Sequence, residues 1–340
     1  MSTRGGRVSL RILLTFSPSG RALYYGDKAL AGLRECGELR LNPREQTPTE
    51  TELIEAASDC EVIVSDRRIA AGPGLFAALP QLAIFMRCAI DIRNIDVAAA
   101  SAAGVLVTRA SAGFGSAVAE WVLGAMIDGA RGISRSVLAY RSGQVPAIAM
   151  GRELRGARAG IIGYGHIGRR LADMLLGLGM QVAIGDPHAR PDDARIEALP
   201  LDALLAQSDF VICLAPALPE TENLMNAAAF GRMKPGAFFV NASRGNLVDE
   251  TALRAALDNG RLAGAALDVG RAPDQMPSPE LAAHPRVIAT PHIGGLTPPA
   301  IEHQALETVA QLAALLLGEW PEGAVNRAQA TRLAAWRARA

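Results

Sequence analysis

The stretch "GIIGYGHIGRRLADMLLGLGM", Gly160–Met180, passes from a short apolar run through three glycines into a pattern of helical period. Gly163, Gly165 and Gly168 stand in G-x-G-x-x-G spacing directly after the apolar run. The first glycine permits a tight turn, the second lets a pyrophosphate approach the main chain, and the third lets helix and strand pack closely. The first amides of a helix have no partners within it, so an anion is favoured at that point. A glycine pattern alone says little, and its surroundings decide. The next apolar run, "MQVAIGD", ends at Asp186, 23 positions after Gly163 (186 − 163). A carboxylate about 20 residues on is where ribose hydroxyls are received. Together these signals predict a dinucleotide site, and Asp186 would repel a 2′-phosphate, so NAD is expected over NADP. Arg190 is the nearby cation that opposes this preference.

On either side of this stretch, short β-rich runs alternate with helical patterns. Upstream stand "VSLRILLTF", "RALYYGDKALAGLREC", "TETELIEAA", "CEVIVS", "QLAIFM" and "GVLVT"; downstream stand "RAGIIGYG", "MQVAIGD", "DFVICLA", "GAFFVNA", "RLAGAALDV" and "RVIATPH". Such alternation argues for βαβ units on parallel sheets. Two series imply two doubly wound domains. Between them, "SAVAEWVLGAMIDGARGISRSVLAYRSG" is expected to form one long helix from Ser116 to Gly143. The last helix, "PPAIEHQALETVAQLAALLLG", follows a proline pair, and the tail "AQATRLAAWRARA" is expected to be a solvated or subunit-contacting helix.

Composition narrows the partners. Half of the 340 residues are hydrophobic, and Lys+Arg and Asp+Glu balance at 34 each. With no net charge there is no broad attraction to nucleic acid or an anionic membrane, so a small-molecule substrate is the expected partner. Cys36, Cys60, Cys88 and Cys213 lack C-x-x-C spacing, which suggests neither a zinc site nor a disulfide framework and fits a reducing cytoplasm. No cleavage site follows "RVSLRILLTF", and no stretch approaches the roughly 20 apolar residues of a membrane span. A soluble, cytoplasmic protein without a metal is expected.

Three further strand ends carry chemistry. "FFVNASRGNLVDE" places Arg244 just after an apolar run, where a guanidinium could hold a carboxylate through paired hydrogen bonds. "AALDVG" delivers Asp268, and "VIATPH" delivers His292 to the same edge as the glycine loop. A histidine in a turn is ordinarily a bland polar residue. Beside a dinucleotide, however, imidazole is the side chain best suited to exchanging a proton near neutral pH.

These residues, with "NIDVAAASAAGVLVT", "AVAEWVLG", "ELRGARAGIIGYGHIG", "LAPALPETENLMN", "MKPGAFFVNASRGNLVDE", "ALDV" and "TPHIGG" in that order, resemble the D-isomer-specific 2-hydroxyacid dehydrogenases. The resemblance runs from about the first strand to Asn326. It implies a flavodoxin-like substrate domain, residues 1–110 with 298–340, into which a Rossmann NAD-binding domain, residues 111–297, is inserted. By the same resemblance His292 is the general acid/base, Arg244 binds the substrate carboxylate, and Asp268 contacts the nicotinamide end. Ala215, Pro216, Thr221, Ala242 and Ser243 would line the dinucleotide, with His166 and Ile167 giving amides to its pyrophosphate. The helix from Ser116 resembles the family's dimer-contacting segment, so a homodimer is implied.

The departures from the family pattern matter as much. The family usually carries a glutamate five positions after the aspartate of "LDV", bonded to the catalytic histidine; here that position is Pro273. Asp274 or Gln275 would have to substitute, failing which an acid-shifted profile or slow turnover is expected. The substrate loop, commonly glycine-rich, reads Ala89, Ile90, Asp91, and Asp91 would repel an anionic substrate unless Arg87 or Arg93 neutralises it. Ser111-Ala112 stands where Pro-Gly is common, and Leu214 where a histidine is often found. Two rivals to the dehydrogenase reading follow: an NAD(H)-binding sensor without chemistry, or an enzyme of altered substrate class, such as one acting on an amine-bearing substrate. A further regulatory domain is not expected.

Overall fold

The structure is a computed structural model that describes residues 10–337. Val8 and Ser9 of the expected first strand, and the last three residues of the tail, lie outside the described residues. The chain divides into two compact units: one takes the chain up to Gly113 together with the chain from Pro298 onward, the other is Phe114–Thr297.

In the first unit, β1 (Arg11–Leu14), β2 (Glu38–Leu41), β3 (Val62–Ser65), β4 (Ile84–Arg87) and β5 (Leu106–Arg109) form a parallel sheet in the order β2-β1-β3-β4-β5. This is the flavodoxin-like order of doubly wound sheets. Strands β3 and β4 are buried along their whole length, as an apolar run covered on both faces must be. Strand β2, "ELRL", escapes sequence reading because its two charges suit a sheet edge and leave it only half-buried. The helix Pro298–Leu316 returns to this unit, and its Ala305, Leu312 and Leu315 join Ile12, Leu14 and Ile84 in one core.

The tail departs from expectation. Thr331–Arg337 is a helix, but spacing of three puts Leu333 and Trp336 on one face, and both are buried in that core. Arg327 and Arg337 stack on the Trp320 ring, 5.2 and 5.4 Å from its centroid. The basic residues here serve packing, through cations laid on an aromatic face.

In the second unit, β6 (Arg158–Ile162), β7 (Gln181–Gly185), β8 (Ile196–Ala198), β9 (Phe210–Cys213), β10 (Ala237–Asn241), β11 (Leu262–Leu267) and β12 (Val287–Ala289) pair in the order β12-β11-β10-β9-β6-β7-β8. All pairings are parallel. The order reverses between β6 and β9, which is the topological switch point where doubly wound sheets take their ligands. Strand β8 also escapes sequence reading; only its first residue is buried, so three residues carry no legible pattern.

The single long helix expected from Ser116 to Gly143 is two helices, Gly115–Arg131 and Ile133–Arg141. Gly132 breaks them, because its left-handed conformation (φ 64°) caps the first helix and starts the second in a new direction. Ser116 is not the cap either: that position is Phe114, with no side-chain hydrogen bond.

Candidate active site

The glycine loop between β6 and the helix His166–Gly177 divides its labour among its three glycines. Gly163 has φ 96°, and a Cβ there would lie 2.7 Å from the Ala215 amide nitrogen, beyond β9. At Gly168 a Cβ would come within 2.4 Å of the Gly163 carbonyl, so this glycine lets the helix seat on its own strand. Gly165 differs: a Cβ would meet nothing within 4 Å. Space is kept open there, at the helix cap, where the amides of His166 and Ile167 have no acceptor within the helix. An NAD pyrophosphate fits a cradle of this kind.

Asp186 follows β7. Its carboxylate accepts from the amides of Tyr164 (2.8 Å), His188 (2.8 Å) and Ala189 (3.1 Å). Burial pushes this carboxyl up, but the three main-chain donors outweigh it and hold it below the usual carboxylate range. It is therefore anionic at neutral pH. The Arg190 guanidinium donates to the carbonyls of Asp186 and Ala189, which draws it to the main chain.

Past β9, Ala215 is buried and Pro216 exposed. The Thr221 hydroxyl donates to the Pro216 carbonyl at 2.7 Å and accepts from the Leu218 amide at 2.8 Å, so it shapes the turn from Pro216 to Thr221. Past β10, Ala242 and Ser243 are buried, and the Ser243 hydroxyl donates to the Ala215 carbonyl, joining the two loops. Arg244 is half-buried, with Nη1 donating to the Ser243 carbonyl at 2.7 Å. Its main chain is fixed by a residue that sequence reading overlooks. Asn241, 1% exposed, donates to the Arg244 carbonyl (3.0 Å) and accepts from the Ser243 amide (3.1 Å). A polar residue closing the apolar run "AFFVN" is the available signal.

Asp268 follows β11 and is 3% exposed. It receives the Thr290 hydroxyl (2.6 Å) and the amides of Ile293 (2.8 Å) and Gly294 (2.7 Å). A buried carboxylate needs such compensation, and here it shapes the loop that carries His292. His292 is half-buried and left-handed, with φ 56°. Its Nδ1 lies 3.0 Å from the main-chain carbonyl of Asp274. A carbonyl only accepts, so this contact calls for the tautomer with its proton on Nδ1. The partner sought in a side chain at Asp274 or Gln275 includes a backbone oxygen, which residue identity cannot reveal.

In the first unit, Ala89, Ile90 and Asp91 follow β4. The Arg93 guanidinium meets Asp91 through two nitrogens, with Nε 3.0 Å from Oδ1 and Nη2 2.7 Å from Oδ2. This pairing raises the Arg93 pKa and offsets the Asp91 charge. Arg87, fully buried beneath the loop, donates to the carbonyls of Asp66 and Ile69 and to Asn94 Oδ1. Burial lowers its pKa to about 10, with Asp66 and Asp91 acting in the opposite sense. The Ala110 amide donates to the carbonyls of Arg87 and Ala89, so the exit of β5 is tied to this loop. Ser111 gives its amide and hydroxyl to Glu307, each at 2.7 Å.

With this geometry in place, comparison with known proteins decides the family. The family model for the D-isomer specific 2-hydroxyacid dehydrogenase, NAD binding domain, matches residues 123–294. The chain belongs to the D-isomer-specific 2-hydroxyacid dehydrogenases. Hydroxypyruvate reductase of Thermotoga maritima is 31% identical over 287 residues, 82% of this chain and 94% of that protein. D-3-phosphoglycerate dehydrogenase of Mycobacterium tuberculosis is 33% identical over 285 residues, 82% of this chain but 53% of that protein. The chain thus spans about half the length of the phosphoglycerate dehydrogenases it matches. A solved structure from Thermus thermophilus superposes with a TM-score of 0.84 at 30% identity, covering 93% of this chain and 100% of that one. As in the family, the second unit is an NAD-binding domain. Among the described residues, no helix is long and apolar enough to cross a membrane.

The three glycines should separate on substitution. Gly163→Ala combines a left-handed backbone with a main-chain clash and should destabilise the protein by about 1–3 kcal/mol or more, read as a lowered Tm. Gly165→Ala should leave Tm nearly unchanged while weakening NADH binding about tenfold or more, measured by cofactor fluorescence. Unweakened binding in Gly165→Ala would remove the pyrophosphate from this loop.

Proposed function

We propose that the chain is an NAD-dependent oxidoreductase that interconverts a D-2-hydroxy acid and a 2-oxo acid by hydride transfer. The observation that carries this reading is the His292 Nδ1 hydrogen bond to the Asp274 carbonyl, in a loop shaped by Asp268. It presents Nε2 as the atom that gives or takes the proton. NADH, when bound, supplies the hydride to the carbonyl carbon. Arg244 binds the substrate carboxylate and polarises the carbonyl. Protonated His292 delivers a proton from Nε2 to the carbonyl oxygen; in the reverse direction neutral Nε2 takes it from the hydroxyl.

The cofactor is assigned to Gly163, Gly165 and Gly168 with the amides of His166 and Ile167, to Asp186 at the ribose, and to Ala215, Pro216, Thr221, Ala242, Ser243 and Asp268 along its length. NAD is favoured over NADP because Asp186 stays ionised. Ile90 and Asp91 are assigned to substrate binding in the first unit. Arg93 offsets Asp91, so an acid substrate is acceptable there, and an amine-bearing one finds a carboxylate already paired. Asp91 is thus paired, and at Pro273 the Asp274 carbonyl supplies orientation to the His292 ring without a carboxylate's charge. These local arrangements support the dehydrogenase reading.

We assign the protein to the cytoplasm, in keeping with four free cysteines, and read it as a homodimer. The helices Gly115–Arg131 and Ile133–Arg141 support the dimer. Ile127, Arg131, Ile133, Ser136, Val137 and Tyr140 line a surface groove of about 470 Å³, and Leu138 and Tyr140 are 67% and 65% exposed. An exposed apolar surface of this kind supports a contact with a second copy of the chain.

His292→Ala should lower kcat about 10²–10⁴-fold for reduction of glyoxylate, hydroxypyruvate or pyruvate while NADH still binds. Unchanged turnover would remove His292 from the acid/base role. The depressed Asp186 carboxyl loses its charge only as pH falls below the ordinary carboxylate range. The NAD preference should therefore be flat between about pH 5 and pH 8, and Asp186→Asn should relax it; a preference fading within that window would point to another group. Sedimentation velocity should give a dimer, and a monomer would overturn that assignment.

A further inference from the structure

Among the described residues, four that are not glycine adopt left-handed backbone: Asn223 (φ 50°), Asp274 (φ 56°), Gln275 (φ 59°) and His292 (φ 56°). Backbone of this kind is strained in a residue with a side chain and persists only where its surroundings over-determine it. All four lie on one hydrogen-bonded network. His292 joins Asp274 through Nδ1, and Asn223 joins the same loop through Arg271, whose Nη2 lies 2.6 Å from Asn223 Oδ1.

Arg271 is the node. The same Nη2 approaches Glu222 Oε1 (2.8 Å) and the Asn246 carbonyl (3.0 Å), Nε donates to the Val248 carbonyl (3.1 Å), and the Arg271 amide donates to Glu250 Oε1 (3.0 Å). It thereby ties three segments together: the turn after Thr221, the turn just after Arg244, and the loop Gly270–Met276. Within that loop the Gly270 amide donates to the Gln275 carbonyl at 2.8 Å and the Ala272 amide to the Met276 carbonyl at 3.0 Å, closing it on itself. The closed loop aims the Asp274 carbonyl at His292. The guanidinium ties the outer rim of this loop to the Asn246–Val248 turn beside Arg244. Exposed ion pairs contribute little, but a planar fork that spans two main-chain carbonyls fixes geometry in a way a point charge does not.

We infer that Arg271 is a positioning residue for the His292 ring: by tying the Gly270–Met276 loop to the turns at Glu222–Asn223 and Asn246–Val248, it holds the Asp274 carbonyl on Nδ1. The inference rests on the proposed acid/base role of His292 for its catalytic consequence, but the ring geometry can be read without activity. Arg271 touches neither substrate nor cofactor in this scheme. Its effect is on which imidazole nitrogen carries the proton.

The test compares the full-length protein with Arg271→Ala and Arg271→Lys. Nitrogen-15 NMR of the histidine rings above neutral pH reads the tautomer, with the His292 signal assigned through His292→Gln. The wild type should show the Nδ1–H form. In Arg271→Ala that population should shift toward Nε2–H, kcat for 2-oxo acid reduction should fall about 10- to 100-fold with KM and NADH affinity little changed, and the pH profile should move. Arg271→Lys should not restore either reading, since one ammonium cannot span the fork. A lowered Tm with the tautomer and pH profile unchanged would make Arg271 a mere loop staple and overturn the inference. A shifted tautomer with undiminished kcat would uphold the positioning and count instead against His292 as the acid/base.

Discussion

A carboxylate that must be compensated where it is buried governs the strand ends at the β11–β12 side of the second sheet. Asp268 lies at the end of β11, and its two oxygens take three hydrogen bonds from a loop more than twenty residues further along the chain. Leaving such a charge unpaired would cost several kcal/mol, so the loop Thr290–Gly294 is bound to the strand end as firmly as a ladder partner. His292 inherits its left-handed backbone from that arrangement. The resemblance to known dehydrogenases assigns Asp268 to the nicotinamide; the structure shows the aspartate engaged with its own chain, whatever else it faces.

The sheet organisation was legible because buried parallel strands are near-continuous apolar runs. "CEVIVS", "QLAIFM", "DFVICLA" and "GAFFVNA" could hardly be anything else. The edge strands β2 and β8 were invisible for the converse reason: they are short, partly solvated and carry charge. Gly132 could have been read as a break between helices, but a glycine inside an apolar helical pattern is also tolerated, and only the left-handed conformation decides. The tail misleads because its arginines draw attention away from Leu333 and Trp336, which have helical spacing.

Where the named residues would fall in the fold was legible, but their partnership was not. Glycine spacing, Asp186, Arg244 and His292 could all be named because side-chain chemistry carries those signals. The acceptor at His292 could not, since it is a main-chain oxygen whose direction depends on two left-handed residues after Pro273. Likewise Asn241 and Arg271 act on backbone groups, and nothing in a residue's type announces which carbonyl it will meet. A departure from a familiar pattern, such as the proline at 273, shows that something else must serve, without showing what.

The first unit is made from two pieces of chain separated by 184 residues of the second (297 − 113). During synthesis at about 5–20 residues per second, the β1–β5 sheet therefore waits roughly 10–40 s for the helix that completes its core. Through that interval the face formed by Ile12, Leu14 and Ile84 lacks Ala305, Leu312 and Leu315. The second unit is continuous and can close as soon as β12 emerges. The order of completion thus reverses the order of the chain: all of the second unit is synthesised before the helix that seals the unit beginning the sequence.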